Sequence, residues 1–142
     1  MNYFTSTRVN PLIVDIVLLV VRIFVGFAMI SHGFPKLMEL TSGEEIQFFN
    51  FLGLGPRFSL ILAVFAEFVC SIFIILGLFT RPAVFFLIIT MAVAGLFVHS
   101  GDPFPKREAS LLYLSLYLML FAFGPGKYSI DHMIARRRDS SW

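Results

Sequence analysis

The chain has 142 residues, 58% of them hydrophobic and only 14% charged, with a formal net charge of +2. A soluble domain carries about twice that charged fraction, so the composition excludes an ordinary soluble enzyme and indicates an integral membrane protein, and the small net charge gives no ground for nucleic-acid binding. The single cysteine, Cys70, excludes an intrachain disulfide and any paired-cysteine redox or zinc motif.

The first apolar run, residues 12–34, follows Pro11 and contains Asp15 and Arg22. It lacks a small-residue cleavage site before a polar mature chain, so it reads as a permanent span rather than a signal peptide. Ser42-Gly43-Glu44-Glu45 has the form of a capping box, with Ser42 as N-cap and Glu45 at N3. With Ile46, Phe48, Phe49, Phe51 and Leu52 behind it, this predicts a short interfacial helix over 44–52, stopped by Gly53-Leu54-Gly55-Pro56. The second run, 58–79, carries Glu67 near its centre. Gly77-Leu78-Phe79-Thr80-Arg81-Pro82 then turns the chain tightly into a third run, 82–98, with proline tolerated in the first helical turn. His99–Arg107 is polar and proline-rich, hence a loop, and the fourth run is 108–123. Gly124-Pro125-Gly126 ends it. Ser129 or Asp131 is placed to cap a short helix in a basic tail, 127–142, that rests against anionic lipid.

A membrane span needs about 20 residues, and a backbone in lipid must satisfy its own hydrogen bonds, leaving helices or closed barrels. The runs are continuous and show no strand alternation. The expected fold is therefore all-α: one domain, an antiparallel four-helix transmembrane bundle with a short interfacial helix between helices one and two. Each helix has a face of small and polar residues suited to close approach: Asp15, Arg22, Gly26, Met29, Gly33 and Lys36 on the first, Ala63, Glu67, Cys70 and Ser71 on the second, Ala92, Gly95 and His99 on the third, and Glu108, Ser115, Met119 and Ala122 on the fourth. Arg8, Arg81, Lys127 and Arg136 to Arg138 on the termini side outnumber Lys36, Arg57, Lys106 and Arg107 on the other, which places both termini in the cytoplasm.

Two constellations stand out. A charge at the bilayer centre costs about 3 kcal/mol on insertion scales, and a guanidinium stays charged in any surroundings. Arg22 and Glu67, each about ten residues from its segment end, are expected to meet as a buried ion pair, either fixing helix register or serving a function. At the other end of the bundle His32, Lys36, His99 and Glu108, with Asp102 in the loop, form a polar mouth above an apolar interior. Taken singly they have plain explanations: Glu108 suits a helix N-terminus and Lys36 can snorkel. Together they could hold the head group of a lipid-soluble ligand, and a quinone fits, because its carbonyls accept hydrogen bonds from histidine or lysine. A haem held by His32 and His99 has no supporting motif, and no metal site is evident.

The ordered set Arg22, Gly26, His32-Gly33-x-x-Lys36, Ala66-Glu67, Leu76-Gly77-Leu78-x-Thr80-Arg81, His99, Glu108 and Gly124-Pro125-Gly126-x-x-Ser129-x-Asp131 resembles the DoxX family of small four-helix bacterial membrane proteins, over roughly residues 22–131. The resemblance implies the fold and an inner (cytoplasmic) membrane location. Some members of that family are small subunits of thiosulfate:quinone or quinol oxidoreductases, and others assemble with antioxidant and sulfur-handling enzymes. Three functions follow as expectations: a component of a membrane redox system binding a quinone or a small sulfur-type reductant at the polar mouth; a non-enzymatic scaffold or assembly subunit; or a small solute transporter acting as a homo-oligomer. None requires the isolated chain to be an enzyme. The expected partners are the lipid bilayer and a membrane-associated redox enzyme.

Overall fold

The computed structural model describes residues 6–140; the outermost parts of the single-domain and basic-tail expectations, residues 1–5 and 141–142, lie outside the described residues. Among the described residues every regular element is helical. Helix α1 spans Pro11–Thr41, α2 Pro56–Leu76, α3 Thr80–Val98, α4 Phe104–Phe123 and α5 Ile130–Asp139. The first three are long and apolar enough to cross a membrane. Helix α4 has 20 residues, but Lys106, Arg107 and Glu108 crowd its first turns.

The helix starts follow local chemistry. The Asn10 side chain accepts from the Leu12 amide at 3.0 Å, and proline occupies the first turns of α1, α2 and α4, where its missing N–H costs nothing. Helix α1 is longer than its apolar run implies. It continues through Pro35 to Thr41, since an interior proline removes one amide and can kink a helix without ending it. This length overturns the interfacial helix expected over 44–52. Ser42 is consumed at the C-terminus of α1, where its hydroxyl donates to the Glu39 carbonyl at 2.8 Å, and Gly43 takes a left-handed conformation, φ +77°. The chain then runs irregularly, with a single 3-10 turn at Phe51–Gly53.

Helices α1 and α2 run antiparallel, with glycine at their closest approaches. A Cβ on Gly26 would collide with Ile75, and one on Gly33 would lie 2.9 Å from the Glu67 carbonyl carbon. Helix α3 packs on α4, and α1 also touches α4. Val25, Met29, Cys70, Ile74, Val84, Leu87, Tyr117 and Leu120 fill the shared core, while Phe24, Phe27 and Phe123 point outward and are more than half exposed. The small, polar face expected on α4 is not the face it buries. Glu108, Ser115 and Ala122 are exposed, and Tyr117 and Leu120 point inward. The larger side chains of α4, not its small ones, supply its share of the core.

Candidate functional site

Arg22 and Glu67 are both buried, at 1% and 3% exposure, but they do not form the expected ion pair. Glu67 lies opposite Gly33, and Arg22 lies beside Gly77. Gly33 is eleven residues along α1 from Arg22, about 16 Å at 1.5 Å per residue. Matching depths from the centres of apolar runs failed because α1 extends seven residues beyond Phe34, so the register between the helices is offset.

Each charge has its own partners. The Arg22 guanidinium donates from Nη1 to the Pro125 carbonyl and from Nη2 to the Tyr128 carbonyl, the latter at 2.8 Å. These acceptors belong to the Gly124–Ser129 link, which glycines make possible: Gly124 and Gly126 have φ +81° and +76°, a region that L side chains enter at a cost. Gly77 is equally constrained, since a Cβ there would sit 2.5 Å from Ser129 and 2.8 Å from Arg22 Nη1. Asp131 completes the knot. Its two carboxylate oxygens accept from the Phe79 and Thr80 amides at 2.8 and 2.9 Å, capping α3, while its own amide donates to the Gly77 carbonyl at 2.8 Å. Of the two caps expected for the tail helix, Ser129 is the one used: its hydroxyl accepts from the His132 amide at 3.2 Å.

At the other end of α1, Lys36 Nζ meets Glu67 Oε1 at 2.5 Å, while Glu67 Oε2 is buried and has no hydrogen-bond partner. Both residues line a cavity of about 550 Å³. Its apolar walls come from Leu62, Phe65 and Ala66 on α2 and from Phe86, Ile89 and Val93 on α3, and Phe48, Phe49 and Phe51 of the α1–α2 connection roof it. His99 also faces it. Lys36 Nζ stands 5.7 Å from the centre of the Phe48 ring, a cation–π contact that ties roof to ion pair. Two π-helical segments, Phe65–Cys70 around Glu67 and Ala94–Val98 leading to His99, border the cavity. Such segments break the regular hydrogen-bond ladder and recur at functional sites. Here the second leaves the Gly95 carbonyl to accept from Arg107 Nε at 3.1 Å.

Of the four residues expected at the polar mouth, the structure brings Lys36 and His99 to one cavity. The exposed His32 instead meets Tyr113 edge to face at 6.0 Å, and Glu108 is exposed on α4. Sequence reasoning assigned Glu67 to the wrong partner and so left it out of the mouth. The available signal was Lys36, a second cation on the same stripe of α1 as Arg22. His99 Nδ1 lies 2.8 Å from Asp102 Oδ2, and this bond, with the charge of nearby Lys106, holds the Asp102 carboxyl below the usual carboxylate range.

A helical chain with three apolar spans, buried charges and an amphiphilic cavity between its helices is a small integral membrane protein. The DoxX family model matches residues 17–100, and the chain belongs to that family. It is 32% identical over 141 residues to "Inner membrane protein YphA" of Escherichia coli (strain K12), covering 92% of this chain and 96% of that protein. It is 30% identical over 130 residues to "Inner membrane protein YqjF" of the same organism, covering 87% and 95%. No solved structure matches the chain.

Proposed function

We propose that this DoxX-family protein binds a quinone, or a lipid-soluble molecule of the same chemistry, between α2 and α3, as a small component of a redox system in the bacterial inner membrane. In this reading α4 is the fourth span of an antiparallel bundle and both termini are cytoplasmic. The observation that carries the reading is the convergence of the Lys36–Glu67 pair and His99 on an aromatic cavity of about 550 Å³. Pockets for small ligands are largely apolar with a few polar groups that fix orientation.

Two features support a neutral, lipid-borne ligand over an anionic sulfur reductant. Lys36 is already matched by Glu67, and His99 by Asp102, so the lining offers little uncompensated positive charge to a dianion. The wall residues Leu62, Phe65, Phe86 and Ile89 are exposed on the outer faces of α2 and α3, so the cavity borders the acyl chains. Lys36 and His99 would hold ring carbonyls, with the aromatic walls against the ring and its tail. A bound quinone supplies the electron chemistry, and the chain's residues hold it in position.

Purification in a mild detergent followed by lipid extraction tests this reading. The expected result is a quinone enriched over bulk lipid, lost from Lys36→Ala, together with a quinone-dependent rise in thermal stability. Absence of both overturns it. A stoichiometric protein partner retained regardless of Lys36 or His99 substitution would make the chain an assembly subunit instead.

A further inference from the structure

A second cavity, of about 700 Å³, opens at the opposite end of the molecule, where α1 begins, α2 turns into α3 and α4 ends. It is lined by side chains from four segments, among them Arg81, Lys127 and His132 together with Asp15 and Asp131. The carboxylates are engaged by main-chain amides. Asp131 spends both oxygens on Phe79 and Thr80, and Asp15 Oδ1 accepts from the Lys127 amide at 3.0 Å. Among the described residues the basic side chains of Arg81 and Lys127 form no ion pair. Their backbones are nonetheless held in place: Arg81 follows Thr80, whose amide donates to Asp131, the Lys127 amide donates to Asp15, and the His132 amide to Ser129. The Arg81 guanidinium lies over Gly124, where an added Cβ would come within 3.4 Å of Nη2. Arg81 and Lys127 balance the two carboxylates in formal charge, but the carboxylates accept from main-chain amides, so the side-chain donors left to a ligand are those of Arg81, Lys127 and His132, which suit a phosphate-bearing anion.

We propose that this cavity binds an anionic phosphate group, and that its source is an anionic phospholipid. The location favours the lipid, because the ends of the spans define the level of head groups and Phe79, Tyr128, Met133 and Ile134 are exposed at that end and available to acyl chains. Basic pockets between membrane helices recognise such head groups, and each basic residue near an anionic surface adds appreciable binding.

The test uses the full chain in mild detergent, with phosphatidylglycerol, phosphatidylcholine and inorganic phosphate as probes, read by native mass spectrometry and thermal stability. Phosphatidylglycerol is expected to be retained in preference to phosphatidylcholine. Arg81→Gln with Lys127→Gln should weaken that binding about thirtyfold, and Arg136→Gln with Arg137→Gln less than about threefold. The charge-keeping pair Arg81→Lys with Lys127→Arg should retain the preference, which separates loss of binding from loss of folding. If inorganic phosphate stabilises the protein through Arg81 and Lys127 and no lipid preference exists, the anion site stands and its ligand is soluble. If neither probe binds preferentially, or if the Arg136 and Arg137 pair accounts for the whole effect, the proposal fails.

Discussion

Arg22 and Glu67 are buried to nearly the same degree on facing helices, yet one is closed in by backbone and the other borders a cavity. Around Arg22 the acceptors are carbonyls of Pro125 and Tyr128, held by a glycine-rich link and braced by Asp131. Little space remains: Gly77 cannot gain a methyl group without striking the guanidinium or Ser129. Around Glu67 the partner is a lysine that is 30% exposed and an aromatic hollow adjoins, while each charge, through Arg22 Nε and Glu67 Oε2, keeps one buried atom without a hydrogen-bond partner among the described residues. Main-chain acceptors cannot rotate away, so the first arrangement serves architecture. A flexible amine opposite a carboxylate can exchange partners, so the second suits a ligand. Burial of a charge within a span therefore does not by itself indicate its role; the mobility of its partner does.

The sharpest way to break this contrast is at Arg22. Arg22→Gln removes a charged donor from two carbonyls, and hydrogen bonds to charged groups contribute about 1.5–3 kcal/mol each. A loss of about 3 kcal/mol or failure to assemble is expected, read by thermal unfolding in detergent; a variant as stable as the parent would remove the architectural role. Next in size is Asp131→Ala, which leaves the Phe79 and Thr80 amides uncapped and should cost about 1–2 kcal/mol without altering retention of a ligand in the cavity beside Glu67. Glu67→Gln should behave in the opposite way. Lys36 can swing to solvent when released, so stability should fall by only about 1 kcal/mol, while retained ligand should drop about tenfold, as for one lost charged hydrogen bond. Equal stability losses at Glu67 and Arg22 would erase the distinction. The smallest effect concerns Asp102. Its carboxyl is held below the ordinary range by His99, so the folded state binds fewer protons there than the unfolded chain. Its stabilising contribution is complete above the ordinary carboxylate pKa, about 4, and is lost as the pH falls through the folded value. Asp102→Asn should flatten this slope in an acid titration of stability and leave the Arg22 knot unchanged.

Much of the fold was legible because the hydrophobic runs, the glycines of α1 and the Gly-Pro-Gly stop act locally. The approximate positions of the four long helices, the burial of Arg22 and Glu67 and a cap at Ser129 or Asp131 follow from such signals, although α1 runs past its apolar segment to Thr41. The pairing of the two charges was not legible, because hydropathy gives the length of a span and not its register against a neighbour. The first apolar run stops at residue 34, and the additional turns of α1 beyond it brought Lys36, not Arg22, to the level of Glu67. Ser42 misled for the same reason: the spacing of a capping box looks identical whether the serine opens one helix or closes another. On α4 the small residues suggested an inward face, but the larger Tyr117 and Leu120 are the ones buried in the core. The candidate site was half legible, since Lys36 and His99 are recognisable polar groups at span ends, whereas the aromatic roof comes from a largely irregular segment with one 3-10 turn.

The acceptors of Arg22 stand 103 and 106 residues downstream of it. During synthesis the first helix must therefore wait, with its guanidinium uncompensated, until nearly the whole polypeptide has emerged. A chain truncated before Pro125 would retain every apolar segment needed for insertion and still display an unquenched positive charge within its opening helix. The final link thus closes the first helix, so the two ends of the sequence are completed together.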